Sequence, residues 1–177
     1  MLVSCLSGPV MEALKGKTEA LPGQEKPPKW KTVTVRPLTK AQSATLLNTY
    51  LARFNKKLPK QMVTKVQAHP LATNPLFVRT LAEELRLFGV HEELQKQLDH
   101  YLSSQTIDDL FERVLQRVEK DCGKKQVRQA LTAIWTSRTG LTEKEILGIA
   151  QLTPSAWAGI RHALDESLVN VGSHINF

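Results

Sequence analysis

The hydrophobic and polar positions near the start of the chain follow two patterns that are typical of β-strands. Leu2 to Leu6 is a short apolar run without alternation, which predicts a strand buried on both faces, as in a parallel sheet. Trp30 to Val35 alternates with β-branched residues and predicts a second strand. Between them, Pro9 can open a short helix, and residues 16–29, rich in Gly, Pro, Lys and Glu, read as a loop.

From Thr39 onward the apolar residues recur at helical spacing. Thr39 and Gln42 have the pattern of a capping box. Asn74 followed by Pro75 is a strong helix start, because Asn caps well and Pro is tolerated in the first turn. The pattern predicts five helices that pack as a central body, over Thr39–Phe54, Pro59–Ala68, Pro75–Leu87, His91–His100 and Thr106–Asp121.

The last third of the chain predicts three more helices and a hairpin. The signals are apolar spacing over Val127–Ser137, caps at Thr142 (with Glu145) and Thr153-Pro154, and the strands Leu168–Val171 and Ile175–Phe177 around Gly172-Ser173. Helix, helix, helix, hairpin is the order of a winged helix. The fold is therefore predicted to be mostly α. The expected core residues are Leu47, Leu51, Leu76, Leu81, Leu85, Leu110, Leu115, Leu131, Ile134, Leu147, Leu164 and Leu168.

Composition narrows the class of protein. The chain has 177 residues, 41% of them hydrophobic, which fits a globular rather than a disordered protein. It has no run of 18 apolar residues that would span a membrane, and its first ten residues do not resemble a signal peptide. Cys5 and Cys122 are too far apart in the sequence for a disulfide framework or a Cys-rich zinc site, which fits a reducing compartment.

The net charge of +7 is unevenly distributed. Residues 1–70 hold 12 Lys and Arg against 3 acidic residues, whereas residues 71–177 hold 12 against 14. This asymmetry indicates either a nucleic-acid or anion partner, or a surface that has lost an acidic neighbour. Because the chain starts and stops in predicted core strands, we expect it to be a piece of something longer or an incomplete gene model.

Motifs for catalysis are absent from the sequence. It contains no G-x-x-x-x-G-K-[ST], G-x-S-x-G or H-E-x-x-H, and its five histidines lack metal-ligand spacing. The pairs Asp108-Asp109 and Glu92-Glu93 lie near predicted helix starts, where they complement the helix dipole. Lys124 and Lys125 could lower the pKa of Cys122, although an unreactive thiol is the favoured interpretation.

Two groups of residues are candidates for nucleic-acid contacts. The first group lies between and on two predicted helices and consists of Arg53, Lys56, Lys57, Lys60 and Lys65. It is either a phosphate-binding patch or a solvated helix surface, and the lack of interleaved aromatic residues favours the solvated surface. The other is the third helix of the winged helix, from Pro154 to about Leu164, which would present Ser155, Arg161 and His162 to a major groove. One Arg is a thin basis for base readout, so DNA binding stays an alternative.

The order of these segments, together with four stretches of sequence, resembles that of a known protein family. The stretches are VRPLTKAQSATLLNTYLARFNKKL, HPLATNPLFVRTLAEELRLFG, DHYLSSQTIDDLFERVLQRVEKD and GLTEKEILGIAQLTPSAWAGIRHALDESLVNVGSHINF. From about Leu2 to Phe177 the chain resembles the C-terminal part of a NACHT-type NTPase of the STAND class. It is most similar to nephrocystin-3-like proteins and their TPR-containing relatives. The resemblance implies residues 1–38 as the remnant of a P-loop α/β domain, 39–122 as a helical domain and 123–177 as a truncated winged helix.

The resemblance also implies where a nucleotide would bind. In this family, adenine nucleotide sits where the three domains meet. Leu2 to Leu6 would be the sensor strand, with Ser4 facing the γ-phosphate and Ser7 as second choice, although Leu6 stands where many NACHT proteins carry an Arg. Asn74 and Pro75 match the Pro-bearing helix start whose ring packs on adenine and sugar; from the residues alone, a capped helix start is an equal interpretation.

The expected function is a regulatory fragment of a NACHT/STAND switch, which couples bound ATP or ADP to domain closure and self-association. ATP or ADP would be the cofactor of the full-length parent, with no tight binding to this chain alone. Because the chain lacks Walker motifs, no ATP hydrolysis is expected.

The expected partners are the rest of the NTPase domain, TPR repeats and a second copy of the chain, and no contact with a membrane is expected. A cytoplasmic location is expected, a ciliary one by resemblance only. The alternatives are a winged-helix adaptor for nucleic acid and a helical interaction module.

Overall fold

The computed structural model describes residues 34–89, 92–165 and 167–177, and Pro37–Phe177 forms one compact unit. The described chain is mostly helical with one small antiparallel sheet, as predicted. The elements in chain order are α1 (Lys40–Ala52), α2 (Lys60–Ala68), a 3₁₀ turn (Pro70–Thr73), α3 (Pro75–Leu87), α4 (Leu94–Leu102), α5 (Ile107–Cys122), α6 (Lys124–Thr136), β1 (Leu141–Thr142), α7 (Glu143–Ala150), α8 (Pro154–Ala163), β2 (Val169–Val171) and β3 (His174–Asn176).

Some predictions lie outside the described residues. They include the strand Leu2–Leu6, nearly all of the strand Trp30–Val35, and the predicted helix start at His91. The boundaries of the three predicted domains also stay predictions.

The predicted helix caps are confirmed. The Thr39 hydroxyl accepts a hydrogen bond from the Gln42 amide at 3.3 Å, while Gln42 Oε1 accepts one from the Thr39 amide at 2.8 Å. Thr142 and Glu145 form the same reciprocal box at α7, and Thr153 caps α8. These caps satisfy amides that have no partner within the helix.

Two helix starts differ from the prediction. Helix α6 begins at Lys124 rather than Val127, because Gly123, with φ +92°, is the only residue between α5 and α6. Helix α4 is preceded by a turn at Glu92 and Glu93 and begins at Leu94. Neither start has a side-chain cap, so the sequence carried no capping signal for them.

The described residues bury two hydrophobic clusters. The first joins α1, α2, α3, α4 and the first half of α5, around Leu47, Phe77 and Leu81. The second joins the end of α5 with α6, α7, α8 and β3, around Ile134 and Trp157. Helix α5 belongs to both clusters, since Leu110 and Val114 face the first and Val118 faces the second.

For two of the predicted core residues, the prediction of burial is wrong. Leu76 is 49% exposed and Leu115 is 39% exposed. In each case a neighbouring residue takes the inward position: Phe77 on α3, and Val114 on α5. A helix turns by 100° per residue, so adjacent apolar residues cannot all face one cluster. Of the others, Leu131, Leu147 and Leu168 are partly buried against the second cluster, and the rest are buried.

The predicted hairpin is confirmed within a three-stranded sheet. Strand β3 lies in the middle, with β1 paired through Leu141 and Ile175 and β2 through Asn170 and Ile175. Gly140 precedes β1 with φ +83°, and a Cβ there would lie 2.5 Å from the Ile175 carbonyl oxygen. The order of helices and hairpin is the predicted one, and the assignment to the winged-helix class stays a prediction. Among the described helices, none is long and apolar enough to cross a membrane.

Candidate functional site

The start of α3 presents the two described residues that the sequence predicts at a nucleotide site. Asn74 Oδ1 accepts a hydrogen bond from the Leu76 amide at 2.9 Å, and Pro75 occupies the first helical position. Pro75 and Leu76 are exposed. The cap is thus a structural fact, and the helix start carries an apolar surface that the described residues leave partly exposed.

The start of α1 lies beside the start of α3. The Leu38 amide donates to the Thr73 carbonyl at 2.8 Å, and the Ser43 hydroxyl donates to the Ala72 carbonyl. Neither helix has an acidic residue in its first turn. Two helix N-termini, each with a partial positive charge, therefore meet next to the exposed Pro75 ring.

A stacked ring pair holds the 3₁₀ turn that leads into this site. His69 stacks on Phe77 with ring centroids 4.9 Å apart and planes 4° from parallel. The His69 Nδ1 accepts a hydrogen bond from the Leu71 amide at 3.2 Å, which caps the turn. The stacking has no sequence signal, because Phe77 lies eight positions away on another element.

Two adjacent glutamates on α3 are buried, and sequence reasoning missed both. Glu83 accepts hydrogen bonds from the Tyr50 hydroxyl on α1 and from Arg86 Nε at 2.8 Å. Burial opposes ionisation of Glu83, but the hydrogen bonds from Arg86 and Tyr50 outweigh it and hold the pKa of this carboxyl below its ordinary value. Burial and the Glu83 hydrogen bond raise the pKa of Tyr50 to about 12.

Glu84 connects three helices. Its side chain is 3% exposed and accepts hydrogen bonds from the Tyr101 hydroxyl on α4 and from Arg117 on α5, whose Nε and Nη2 lie 2.7 Å and 2.8 Å from its two oxygens. Arg117 Nη2 also lies 3.5 Å from the Ala163 carbonyl at the end of α8. A bidentate carboxylate–guanidinium pair fixes geometry well. It therefore connects α3 of the first cluster to α8 of the second.

Some of the other candidates from the sequence have structural partners. Lys65 pairs with Asp99 at 2.9 Å, and Lys56 donates to the carbonyls of Arg86 and Phe88. On α8, Arg161 lies 3.5 Å from Glu143 and 3.4 Å from Asn170. These contacts occupy the one arginine that the sequence offered for base readout.

The remaining expectations concern Cys122, the four residues predicted at a nucleotide site, and a metal site. Burial raises the pKa of the Cys122 thiol, and the charge of Asp121 adds to this, so the suggestion that Lys124 and Lys125 activate it is wrong. Ser4 and Ser7 lie outside the described residues. The role of Asn74 and Pro75 toward a nucleotide stays a prediction. Within the described ranges, no group of three His, Cys, Asp or Glu side chains could hold a metal ion.

Comparisons with known proteins find distant relatives. The chain is 26% identical to a TPR repeat-containing protein of Dictyostelium discoideum over 82% of its length. It is 27% identical to human NACHT and WD repeat domain-containing protein 2 over 71% of its length, and 27% identical to mouse telomerase protein component 1 over 66%. It spans 9%, 7% and 4% of these three proteins. No protein-family profile matches the chain, and no solved structure matches it significantly.

Proposed function

We propose that this chain is a regulatory part of a nucleotide-dependent signalling switch of the NACHT-type STAND class. The observation that carries the proposal is the start of α3. There, a proline and a leucine form an exposed apolar surface beside two helix N-termini. The similarity to a human protein named for its NACHT domain supports the same class.

The chemistry of the α3 start suits an adenine nucleotide. The rigid Pro75 ring and the neighbouring Leu76 offer a flat apolar surface to a base, and the proline ring loses no hydrogen bond in the first helical turn. The amide-bearing starts of α1 and α3 favour the negative charge of phosphates. Asn74 holds the helix start in place through its cap.

The pair Glu84–Arg117 supplies a route from this site to the second cluster. Helix α3 carries the proposed base contact at one end and Glu84 further along, and Arg117 reaches the end of α8. A change in the position of α3 between ADP-bound and ATP-bound states would therefore shift α8 through this ion pair. We propose that α6–α8 and the hairpin form a winged helix that reads this change. The TPR and WD repeats in the names of the relatives favour an output through protein–protein interaction, and we propose that this output includes self-association.

Fluorescence anisotropy of an N-methylanthraniloyl-ADP probe, with competition by unlabelled ADP, tests the proposal. Without a phosphate-binding loop we expect weak binding, with a dissociation constant of about 1 mM, or about −4 kcal/mol. The variant Leu76→Asp should weaken it at least tenfold, because it places a charge where the base packs and disturbs no core contact. The matched control is Leu115→Asp, an exposed leucine on α5. Equal binding by the wild type and Leu76→Asp, or no competition by ADP, would contradict the proposal.

A further inference from the structure

One face of the first cluster carries positive charge without any acidic residue nearby in sequence. Residues 34–82 contain eight Lys and Arg residues and no Asp or Glu. Three of these side chains, Arg53, Lys57 and Lys60, lie at the turn between α1 and α2, and we call them the basic corner. All three are exposed.

The other cations near this turn already have partners. Lys56 donates to the carbonyls of Arg86 and Phe88 at the end of α3, and Lys65 pairs with Asp99. By contrast, no side-chain hydrogen bond or ion pair involves the basic corner within the described residues. Helix α2 also begins with Lys60 in its first turn, with neither a side-chain cap nor an acidic residue to offset the helix dipole. Among the described residues, nothing therefore compensates the positive charge of the corner.

An apolar groove borders the basic corner. Its lining includes Leu51, Leu58, Leu85 and Leu94, and Lys57 is the residue of the basic corner that also lines it. Such a groove accepts an apolar side chain, whereas a nucleic-acid backbone has none to offer. Phe54 is an exposed ring near the corner. The Arg86 guanidinium carbon lies 4.5 Å from its ring centroid, and the Tyr50 ring centroid lies 5.4 Å from it. These contacts leave less of the ring for base stacking.

We propose that the basic corner and its groove dock an acidic segment of a protein partner that carries an apolar side chain among its carboxylates. Carboxylates would contact Arg53, Lys57 and Lys60, and the apolar side chain would enter the groove. The surface is distinct from the α3 start, so this inference does not depend on nucleotide binding.

Isothermal titration calorimetry of the full 177-residue chain with synthetic peptides tests the proposed docking of an acidic segment. The probes are a glutamate peptide interrupted by single leucines, an all-glutamate peptide of equal charge, and a single-stranded DNA of equal charge, at low and at physiological salt. We expect the leucine-containing peptide to bind best, with an affinity that falls as salt rises. The triple variant Arg53→Glu, Lys57→Glu, Lys60→Glu should weaken it more than about tenfold, or 1.4 kcal/mol.

The matched control reverses three exposed cations elsewhere, Lys125→Glu, Arg138→Glu and Lys144→Glu, and leaves the same net charge. We expect it to lose less than about threefold in affinity. A neutral triple variant, Arg53→Gln, Lys57→Gln, Lys60→Gln, replaces the reversed one if circular dichroism shows lost helix. Equal losses in the corner and control variants, tighter binding of the DNA, or no preference for leucine would each overturn the proposal.

Discussion

At the scale of single side chains, Arg117 is expected to contribute strongly to stability. Removing it leaves the Glu84 carboxylate, which is 3% exposed, with the Tyr101 hydroxyl as a hydrogen-bond donor but without its cation. We expect Arg117→Ala to lower the free energy of unfolding by about 3 kcal/mol, because a buried charge loses its partner. Urea unfolding at neutral pH measures this.

Arg128 provides the comparison for Arg117. It pairs with Glu119 at 2.6 Å, but its side chain is 63% exposed. Arg128→Ala should cost under about 1 kcal/mol, as exposed ion pairs do. A loss for Arg117→Ala no larger than that for Arg128→Ala would show that Glu84 reaches water or another partner when the arginine is absent.

Glu83 is expected to contribute to the pH dependence of stability. Its pKa in the folded chain lies below the ordinary value of 4.5 that it regains on unfolding. Its contribution is therefore complete above 4.5 and is lost as pH falls through the folded-state pKa. Glu83→Gln should make the loss of stability on acidification shallower, measured by urea unfolding at a series of pH values. The surface variant Glu112→Gln serves as control; identical slopes for the two variants would contradict the assignment.

At the level of elements, two glycines in the second half of the chain should respond to alanine with opposite signs. Gly140 has φ +83° and would place a Cβ 2.5 Å from the Ile175 carbonyl, so Gly140→Ala should destabilise the chain by about 2 kcal/mol. Gly148 lies within α7, where an added Cβ would meet nothing within 4 Å, so Gly148→Ala should stabilise it by about 0.5–1 kcal/mol. Thermal unfolding followed by circular dichroism compares them, and a destabilising Gly148→Ala or a neutral Gly140→Ala would contradict this account.

Elements with local signals were predictable from the sequence. Helix α3 has the predicted bounds, Pro75–Leu87, because its start is encoded in the Asn-Pro pair. The caps at Thr39, Thr142 and Thr153 were predictable for the same reason. The start of α6 was not, because Gly123 joins two helices directly and neither a cap nor a loop sequence marks the break.

For the whole molecule, the contacts that join distant segments could not be predicted. The helix start at Asn74 and Pro75 was predictable because both signals lie within two residues, whereas their role toward a nucleotide is implied only by the family resemblance. The pairs Tyr50–Glu83 and Glu84–Arg117 each join residues 33 positions apart on different helices. No spacing rule connects such residues, and two neighbouring glutamates on a helix normally indicate a solvated face. Their burial emerges only when α1, α4 and α5 pack on α3.

The most direct test of the central claim is an ADP titration of the isotope-labelled chain, followed through backbone amide chemical shifts. The account predicts progressive shifts for Thr73 to Leu76 and for the start of α1, with smaller shifts near Arg117 and the end of α8. Leu76→Asp should abolish them, whereas Leu115→Asp should not. Shifts confined to other parts of the chain, or none at millimolar ADP, would contradict the assignment of the α3 start as a nucleotide site.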